Sequence, residues 1–231
     1  MDFSGLEKLS LVDYDDNISC TLFTAGCNFR CPFCHNSSLV LTPQLMDKIP
    51  FSKILDYLTK RHNVLDAVTI TGGEPTLMDD LDVKCLSIKA LGYKIKLDTN
   101  GTNPALVKSL VEKGLIDYVA MDIKNSLKKY SMTIGLSSFD SKAVEETISF
   151  LINGNLKFEF RTTVIDEFHE DSDFVDIGQL VSGCQRFFIQ RYIDNEHCIQ
   201  RGFHPVSKEK ALGFKSLLEA AGIKAELRGY D

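Results

Sequence analysis

The chain has 231 residues, of which 44% are hydrophobic and 25% are charged, a composition typical of a folded globular protein and unlike that of a disordered one. Its formal net charge of −6 argues against a broad nucleic-acid-binding face, and no apolar run approaches the roughly 20 residues that cross a bilayer. Because the first residues also lack the pattern of a secretory signal, we expect a cytoplasmic protein without a membrane partner.

The predicted elements begin with a β-hairpin, since two strand-like segments, residues 6–12 and 18–24, flank a polar turn. After the hairpin, strand-like and helical patterns alternate along the chain. The further predicted strands cover residues 67–71, 94–99, 118–122, 157–164 and 186–191, with a weaker one at 224–228. The predicted helices lie near residues 51–61, 81–91, 104–113, 141–152, 173–181 and 207–221, with Ser52, Asn103 and Ser207 as candidate N-caps.

This alternation indicates parallel strands joined by crossover helices. Six such units are compatible with either a doubly wound sheet or an incomplete barrel. The residues with chemical potential fall just after the predicted strands, which is the catalytic edge of βα barrels. The sequence contains no repeat, low-complexity tract or linker, and we therefore expect one domain.

Cysteine spacing is the most specific feature of the sequence, because Cys27, Cys31 and Cys34 form a C-x3-C-x2-C motif. Thiolates so close together converge on a metal ion or an iron–sulfur cluster. A structural zinc site would need a fourth ligand from a remote cysteine, whereas a [4Fe–4S] cluster on three thiolates would leave one iron open. The remaining cysteines, which are predicted to be buried and unbridged, are Cys20, Cys85, Cys184 and Cys198.

The motif, with Phe33 at the aromatic position before its last cysteine, resembles the signature of radical S-adenosylmethionine (SAM) enzymes. The resemblance implies that Cys27, Cys31 and Cys34 hold a [4Fe–4S] cluster, that the amino and carboxylate groups of SAM chelate its open iron, and that Phe33 lies near the adenine. It also implies a low-potential electron donor, such as flavodoxin or ferredoxin, whose electron cleaves the S–C5′ bond and yields a 5′-deoxyadenosyl radical. In such enzymes the cofactors carry the difficult chemistry and the protein positions them.

A Gly-Gly-Glu turn follows the predicted strand at residues 67–71. Taken alone, adjacent glycines are typical of an ordinary turn. They also let the backbone approach a ligand closely, and Glu74 offers a carboxylate to an ammonium group. Because they follow the cysteine motif, Gly72, Gly73 and Glu74 resemble the GGE motif of the radical SAM family, which implies that they bind the methionine amino group.

Later strand ends carry further candidate SAM ligands. From the residues alone, Asp122 and Lys124 point the same way along a strand and are positioned to pair, while Arg161 in an apolar strand must be paired or reach solvent. Asp98 in its D-T-N-G stretch, and Asp122 with Lys124, resemble the activating-enzyme branch of the family, which implies contacts with the methionine end of SAM. The same resemblance implies that Arg161 contacts the ribose or the carboxylate, and that Gln190 stands where activators of pyruvate formate-lyase carry a histidine near adenine.

For the fold, the resemblance implies an α/β protein, a partial (β/α)6 TIM-like barrel with an N-terminal β-hairpin. One radical SAM domain is expected over residues 1–231, with the hairpin strand and turn at 1–18, the barrel core at 19–206, and a C-terminal helix and extra strand at 207–231. Since these segments use nearly all of the chain, we expect no capping domain and a barrel mouth open to a large substrate.

For the function, the resemblance is closest to the branch that activates anaerobic ribonucleoside-triphosphate reductase. It implies an enzyme that reductively cleaves SAM and abstracts hydrogen from a glycine of a partner glycyl-radical enzyme. The alternatives within the family are an activator of pyruvate formate-lyase type and an enzyme acting on a small molecule or a tRNA base, although the acidic charge argues against tRNA. Outside the family, the alternative is a non-catalytic zinc or iron–sulfur protein.

Overall fold

The computed structural model describes residues 2–230, and residues 1 and 231, the two ends of the predicted domain, lie outside the described part of the chain. The strands are β1 (Gly5–Ser10), β2 (Ser19–Thr24), β3 (Ala67–Gly72), β4 (Lys94–Thr99), β5 (Tyr118–Asp122), β6 (Lys157–Val164), β7 (Phe187–Arg191) and β8 (Ala225–Arg228). The α-helices are α1 (Ser37–Leu41), α2 (Phe51–Arg61), α3 (Leu81–Ala90), α4 (Pro104–Glu112), α5 (Tyr130–Thr133), α6 (Lys142–Asn153), α7 (Asp171–Leu180) and α8 (Lys208–Ala220). Short 3-10 helices cover Pro43–Leu45 and Pro75–Leu77.

Every predicted strand and helix is present, and β4, β5, β6 and α2 have the predicted bounds. The sequence does not predict α1, α5 or the 3-10 helices, because elements of three to five residues are too short to display a helical period. None of the helices within residues 2–230 combines the length and the apolar character that crossing a bilayer requires.

Two of the three predicted helix caps are confirmed. The side chains of Asn103 and Ser207 accept hydrogen bonds from the backbone N–H groups of Leu106 and Lys210, at the starts of α4 and α8. The prediction for Ser52 is wrong, because α2 already begins at Phe51. The fixed φ of the preceding proline suits a helix start, and Ser52 therefore lies inside the first turn.

The order of strands in the sheet follows the chain, from β1 to β8. β1 and β2 are antiparallel, which confirms the predicted hairpin. β2 pairs in parallel with β3 and β3 with β4, and later in the chain β6 pairs in parallel with β7 and β7 with β8. Parallel strands separated by helices make this an α/β fold.

The chain divides into two compact units, of which the first contains the residues up to Asn28 together with Ser38–Ala120. Its strands β2 and β3 are almost entirely buried, as expected for parallel strands covered on both faces. In the turn of the hairpin, the ring of Tyr14 packs against Tyr118, with ring centroids 5.4 Å apart. The hairpin therefore contributes to the core of this unit as well as to its edge.

The second unit contains Phe29–Ser37 and the residues from Met121 onward. Its core is rich in aromatic side chains, and the rings of Phe174 on α7 and Phe214 on α8 stack with centroids 4.1 Å apart. This packing joins the last two long helices.

Candidate active site

The predicted site residues are divided between the two units. In the first unit they are Cys27, Gly72, Gly73, Glu74 and Asp98. In the second unit they are Cys31, Phe33, Cys34, Asp122, Lys124, Arg161 and Gln190. In both units the charged candidates stand at or near the carboxyl ends of strands, which is where active sites of βα folds form.

The Gly-Gly-Glu turn lies directly against the segment that leads to Cys27. The N–H of Gly73 donates to the carbonyl of Thr24 over 2.9 Å, and the N–H of Glu74 donates to the carbonyl of Gly26 over 2.8 Å. A Cβ atom at Gly73 would stand 1.9 Å from the carbonyl oxygen of Gly26. The turn therefore needs glycine, because only a residue without a side chain allows this approach.

The carboxylate of Glu74 is buried and accepts four hydrogen bonds. Its Oε1 accepts from the N–H and hydroxyl of Thr76, over 3.1 and 2.6 Å, and from the hydroxyl of Thr99 over 2.7 Å. Its Oε2 accepts from the N–H of Asn100 over 2.7 Å. Burial raises the pKa of Glu74, and these hydrogen bonds oppose the rise. Within residues 2–230, no ion pair neutralises this carboxylate, so its charge is available to a cationic ligand.

Cys27 is half-buried at the end of the segment held by the Gly-Gly-Glu turn. Its Sγ lies 4.0 Å from Oδ1 of Asn28, and the amide of Asn28 contacts the side chains of Asn100 and Thr102. Motif reasoning misses Asn28, which is an x position of the C-x3-C spacing. A primary amide beside a cysteine of the motif is the signal that could have found it.

The second part of the cysteine motif forms a tight turn in the second unit. The N–H of Cys34 donates to the carbonyl of Cys31 over 3.0 Å. Cys31 is buried, Cys34 is half-buried, and burial raises the pKa of Cys34 while the charge of Lys124 lowers it. The ring of Phe33 is buried against Phe168, with centroids 6.0 Å apart.

Asp122 bridges two cations, as the sequence predicts for a pair two residues apart. Its Oδ1 accepts from Nε of Arg161 over 2.6 Å, and its Oδ2 accepts from Nζ of Lys124 over 2.8 Å. Burial alone would raise the pKa of Asp122, but the two cations hold it well below its usual range. Burial alone would lower the pKa of Lys124, but Asp122 and the nearby Cys31 and Cys34 raise it. The three charged groups together carry one net positive charge.

The two remaining candidate site residues are Asp98 on β4 and Gln190 on β7. Oδ1 of Asp98 lies 3.3 Å from Nζ of Lys96 in a largely buried ion pair. Gln190 is half-buried on β7, opposite Thr163 of β6 and Arg228 of β8 in the strand register. Their predicted roles in binding SAM remain predictions.

A segment after β7 lies along the cysteine turn of the second unit. The N–H groups of Ile199 and Gln200 donate to the carbonyls of Cys34 and Pro32, over 3.0 and 2.7 Å. Beneath this segment, the hydroxyl of Tyr192 donates to the Sγ of the buried Cys198 over 3.4 Å. The sequence does not predict this packing, because the segment has neither a helical nor a strand-like period.

The cysteines have the chemistry that an iron–sulfur cluster requires. All seven are thiols and none forms a disulfide, and Cys20, Cys85, Cys184 and Cys198 are buried as predicted. Soft thiolates are the ligands that select iron–sulfur clusters, and the positive charge of Lys124 partly opposes the rise that burial causes in the pKa of Cys34. The residues present therefore fit a [4Fe–4S] cluster.

Comparisons with known proteins agree with this chemistry. The family described as the Radical SAM superfamily matches residues 21–180. A protein of Methanocaldococcus jannaschii, provisionally named a glycyl-radical enzyme activating enzyme, is 33% identical over 195 residues, which are 82% of this chain and 79% of that protein. A second protein of this organism with the same kind of name is 32% identical over 70% of this chain and 60% of its own length.

Among solved structures, SuiB of Streptococcus suis bound to S-adenosylmethionine matches 90% of this chain and 52% of its own, with a TM-score of 0.69 at 14% identity. This likeness supports the predicted fold class, an α/β fold of the partial TIM-like barrel type with an N-terminal hairpin. The family match covers more than half of the chain and implies the predicted cofactors, a [4Fe–4S] cluster and SAM. The chain therefore belongs to the radical SAM superfamily and is an enzyme.

Proposed function

We propose that this chain is an activating enzyme that abstracts a hydrogen atom from a glycine of a partner glycyl-radical enzyme, with anaerobic ribonucleoside-triphosphate reductase as the partner in the cytoplasm. The observation that carries the proposal is the 33% identity, over 82% of this chain, to a protein provisionally named as such an activator. Two further stretches support it as well, because they resemble the activating-enzyme branch: D-T-N-G at residues 98–101 and M-D-I-K at residues 121–124.

In this proposal Cys27, Cys31 and Cys34 hold the cluster. Their spacing puts three thiolates within eight residues, and the other cysteines are scattered along the chain. When bound there, the cluster would supply the electron that cleaves SAM, with flavodoxin or ferredoxin as the electron donor. The role of the protein would be to supply the three thiolates that hold the cluster and to position SAM beside it.

Glu74 would bind the ammonium group of SAM. Four neutral donors fix the position of its carboxylate without cancelling its charge. A buried carboxylate of this kind gains most from a cationic ligand, because low polarity strengthens the charge-assisted hydrogen bond. Gly72 and Gly73 support this role by bringing the backbone close to the segment before Cys27.

Lys124 and Arg161 would bind the carboxylate of SAM. Asp122 holds both cations in place, and the group keeps one net positive charge for an anionic ligand. In the same proposal Phe33 and Gln190 lie near the adenine and Asp98 is a further polar contact. In this proposal the carboxylate of Glu74 is thus matched to the ammonium group of the methionine moiety. The cations of Lys124 and Arg161 are matched to its carboxylate.

The experiment is to mix the reduced, cluster-loaded protein with SAM and anaerobic ribonucleoside-triphosphate reductase, and to record the electron paramagnetic resonance spectrum. We expect a glycyl-radical doublet and one 5′-deoxyadenosine for each radical formed. A doublet with pyruvate formate-lyase and not with the reductase would replace the named partner by the pyruvate formate-lyase alternative. The activating role would be overturned if neither partner gave a doublet and a small molecule were consumed in the same amount as 5′-deoxyadenosine is formed.

A further inference from the structure

We propose that a ring of three side chains, Asn28, Asn100 and Thr102, positions Cys27 relative to Glu74 and so couples the cluster loop to the SAM site. We call it the amide ring. The inference rests on the proposed roles of Cys27 and Glu74. It adds positioning residues to them, since the resemblance assigns a role to Asp98 of the D-T-N-G stretch and none to Asn28, Asn100 or Thr102.

The amide ring is closed, because each side chain donates to the next. Nδ2 of Asn100 donates to Oδ1 of Asn28 over 2.8 Å, and Nδ2 of Asn28 donates to Oγ1 of Thr102, also over 2.8 Å. The hydroxyl of Thr102 completes the ring by donating to Oδ1 of Asn100 over 2.7 Å. A ring of this kind fixes all three side chains together, since each hydroxyl or amide has one orientation that satisfies both neighbours.

The amide ring touches both of the groups whose positions it would link. On one side, the backbone N–H of Asn100 donates to Oε2 of Glu74 over 2.7 Å. On the other side, Asn28 directly follows Cys27 in the chain, and Oδ1 of Asn28 lies 4.0 Å from Sγ of Cys27. Asn100 itself is only 5% exposed, so its amide must find its partners inside the protein.

A local turn alone does not account for this arrangement. The N–H of Thr102 donates to Oδ1 of Asn100 over 3.0 Å, which is an ordinary Asx turn that needs no third residue. Asn28 is 72 residues away in sequence from Asn100 and nevertheless completes the ring. Its contribution is therefore long-range, and it fastens the loop that carries Cys27 onto the end of β4.

Such a link couples the binding of SAM to the ordering of the loop that carries Cys27, so that each favours the other. If SAM binds Glu74 only when the loop is held, then loosening the loop weakens the binding of SAM, and by thermodynamic linkage bound SAM protects the loop. Loss of one or two hydrogen bonds of this kind lowers affinity by about five- to tenfold.

The test uses Thr102→Val, which keeps the shape of the side chain and removes the hydroxyl that both accepts and donates within the amide ring. Thr102→Ser restores the hydroxyl and should restore wild-type behaviour. Thr59→Val is the matched control, because the hydroxyl of Thr59 donates to the carbonyl of Leu55 within α2, outside the amide ring. Asn28→Ala opens the ring from its exposed side and serves if Thr102→Val unfolds.

The first readout is the rate at which iodoacetamide alkylates Cys27 in the cluster-free protein, measured by mass spectrometry with Cys34 as the internal reference. We expect Thr102→Val and Asn28→Ala to raise the Cys27 rate several-fold, and Thr102→Ser and Thr59→Val to leave it unchanged. An unchanged Cys27 rate in both ring-opening variants would overturn the proposal.

The second readout is the affinity of the cluster-loaded protein for SAM, followed by the change that SAM causes in the cluster's electron paramagnetic resonance spectrum. Thr102→Val should weaken binding about five- to tenfold at wild-type iron content, and Thr102→Ser should restore it. Equal affinities in wild type and Thr102→Val would overturn the coupling. If the wild-type protein itself bound no SAM, the proposed function would fail, while the alkylation rates would still decide whether the ring holds Cys27.

Discussion

Glu74 and Asp122 are two carboxylates that the protein stabilises in opposite ways. Asp122 has two cationic partners, and its pKa is held well below the usual range although burial would raise it. Glu74 has only neutral donors, and burial raises its pKa. The first carboxylate is thus already neutralised by the protein. The second has four neutral hydrogen-bond donors and no cationic partner within residues 2–230, which is the environment expected of a group that binds a cationic ligand.

Replacing Glu74 by glutamine tests whether this charge binds SAM. The amide oxygen can keep the hydrogen bonds to Thr76 and Thr99, but the charge is lost, and the amide nitrogen cannot accept the bond from the N–H of Asn100. A charge-assisted hydrogen bond contributes about 1.5–3 kcal/mol, so we expect SAM to bind about tenfold to a hundredfold more weakly to the cluster-loaded variant. Calorimetric titration measures this.

The matched control for this titration is Glu159→Gln. Glu159 is equally buried, but it is paired with Arg228 at 3.0 Å, away from the Gly-Gly-Glu turn in sequence and in a different unit. The substitution Glu159→Gln should leave the affinity for SAM unchanged. Equal affinities in Glu74→Gln and the wild type would remove Glu74 from the binding site.

Replacing Asp122 by asparagine leaves Lys124 and Arg161 without their shared counter-ion. Because the folded-state pKa of Asp122 is depressed, the ion pairs stabilise the fold above the unfolded-state pKa of about 3.9 and lose this effect as the pH falls through the folded-state value. We expect the free energy of unfolding to fall by about 3 kcal/mol at pH 7, with a smaller difference from wild type below about pH 4.

Urea unfolding of the cluster-free protein at several pH values measures this difference. Asp140→Asn is the control, because Asp140 and its partner Lys142 are both exposed and such surface pairs contribute little. A difference between Asp122→Asn and wild type that stays the same from pH 7 to pH 3.5 would contradict the assignment of the ion pairs.

At the scale of elements, the regular parts of the fold follow from the sequence. Parallel strands buried on both faces give apolar runs, as in Tyr118–Asp122, and amphipathic helices give a clear period, as in Phe51–Arg61. The one-turn helices and the segment that lies along Cys31 and Cys34 could not be predicted. They are held by tertiary contacts, such as the bond from the N–H of Gln200 to the carbonyl of Pro32, and such contacts leave no periodic signal.

The same limit applies to the candidate site. The motif residues could be predicted because cysteine spacing and the Gly-Gly-Glu turn are rare patterns with a chemical meaning. The pairing of Asp122 with Lys124 also followed, from the period of two along a strand. The contact between Asn28 and Asn100 could not be predicted, because it joins an x position of one motif to a residue of another through the fold.

The close contact between the Gly-Gly-Glu turn and the segment before Cys27 gives a prediction at this scale. In Gly73→Ala the new Cβ would meet the carbonyl of Gly26, and since backbone atoms lie on both sides, the two elements must separate. We expect the free energy of unfolding to fall by about 2 kcal/mol or more, together with weaker binding of SAM.

Gly213→Ala on α8 is the matched control, because a Cβ there would meet no atom within 4 Å. Alanine in place of glycine inside a helix should stabilise the protein by up to about 1 kcal/mol. Chemical unfolding compares the two variants. Equal stability of Gly73→Ala and wild type would show that the turn is not confined as described.

At the scale of the whole molecule, the seven cysteines separate into two groups. The first group is the motif of Cys27, Cys31 and Cys34, which lies at the start of the chain's βα units. The second group is scattered and buried, and burial raises the pKa of Cys20 and Cys85 to about 12, so that they remain neutral thiols. Cys198 is the most informative member of the second group, because its Sγ lies beneath the segment that contacts the cysteine turn.

The most direct test of the central claim is therefore the iron content and visible absorbance of single alanine variants after anaerobic reconstitution. We predict about four iron atoms per chain in the wild type and in Cys198→Ala, and loss of the cluster in Cys27→Ala, Cys31→Ala and Cys34→Ala. Loss of the cluster in a folded Cys198→Ala protein, or one zinc per chain in the wild type in place of iron, would contradict a three-cysteine cluster with an iron open to SAM.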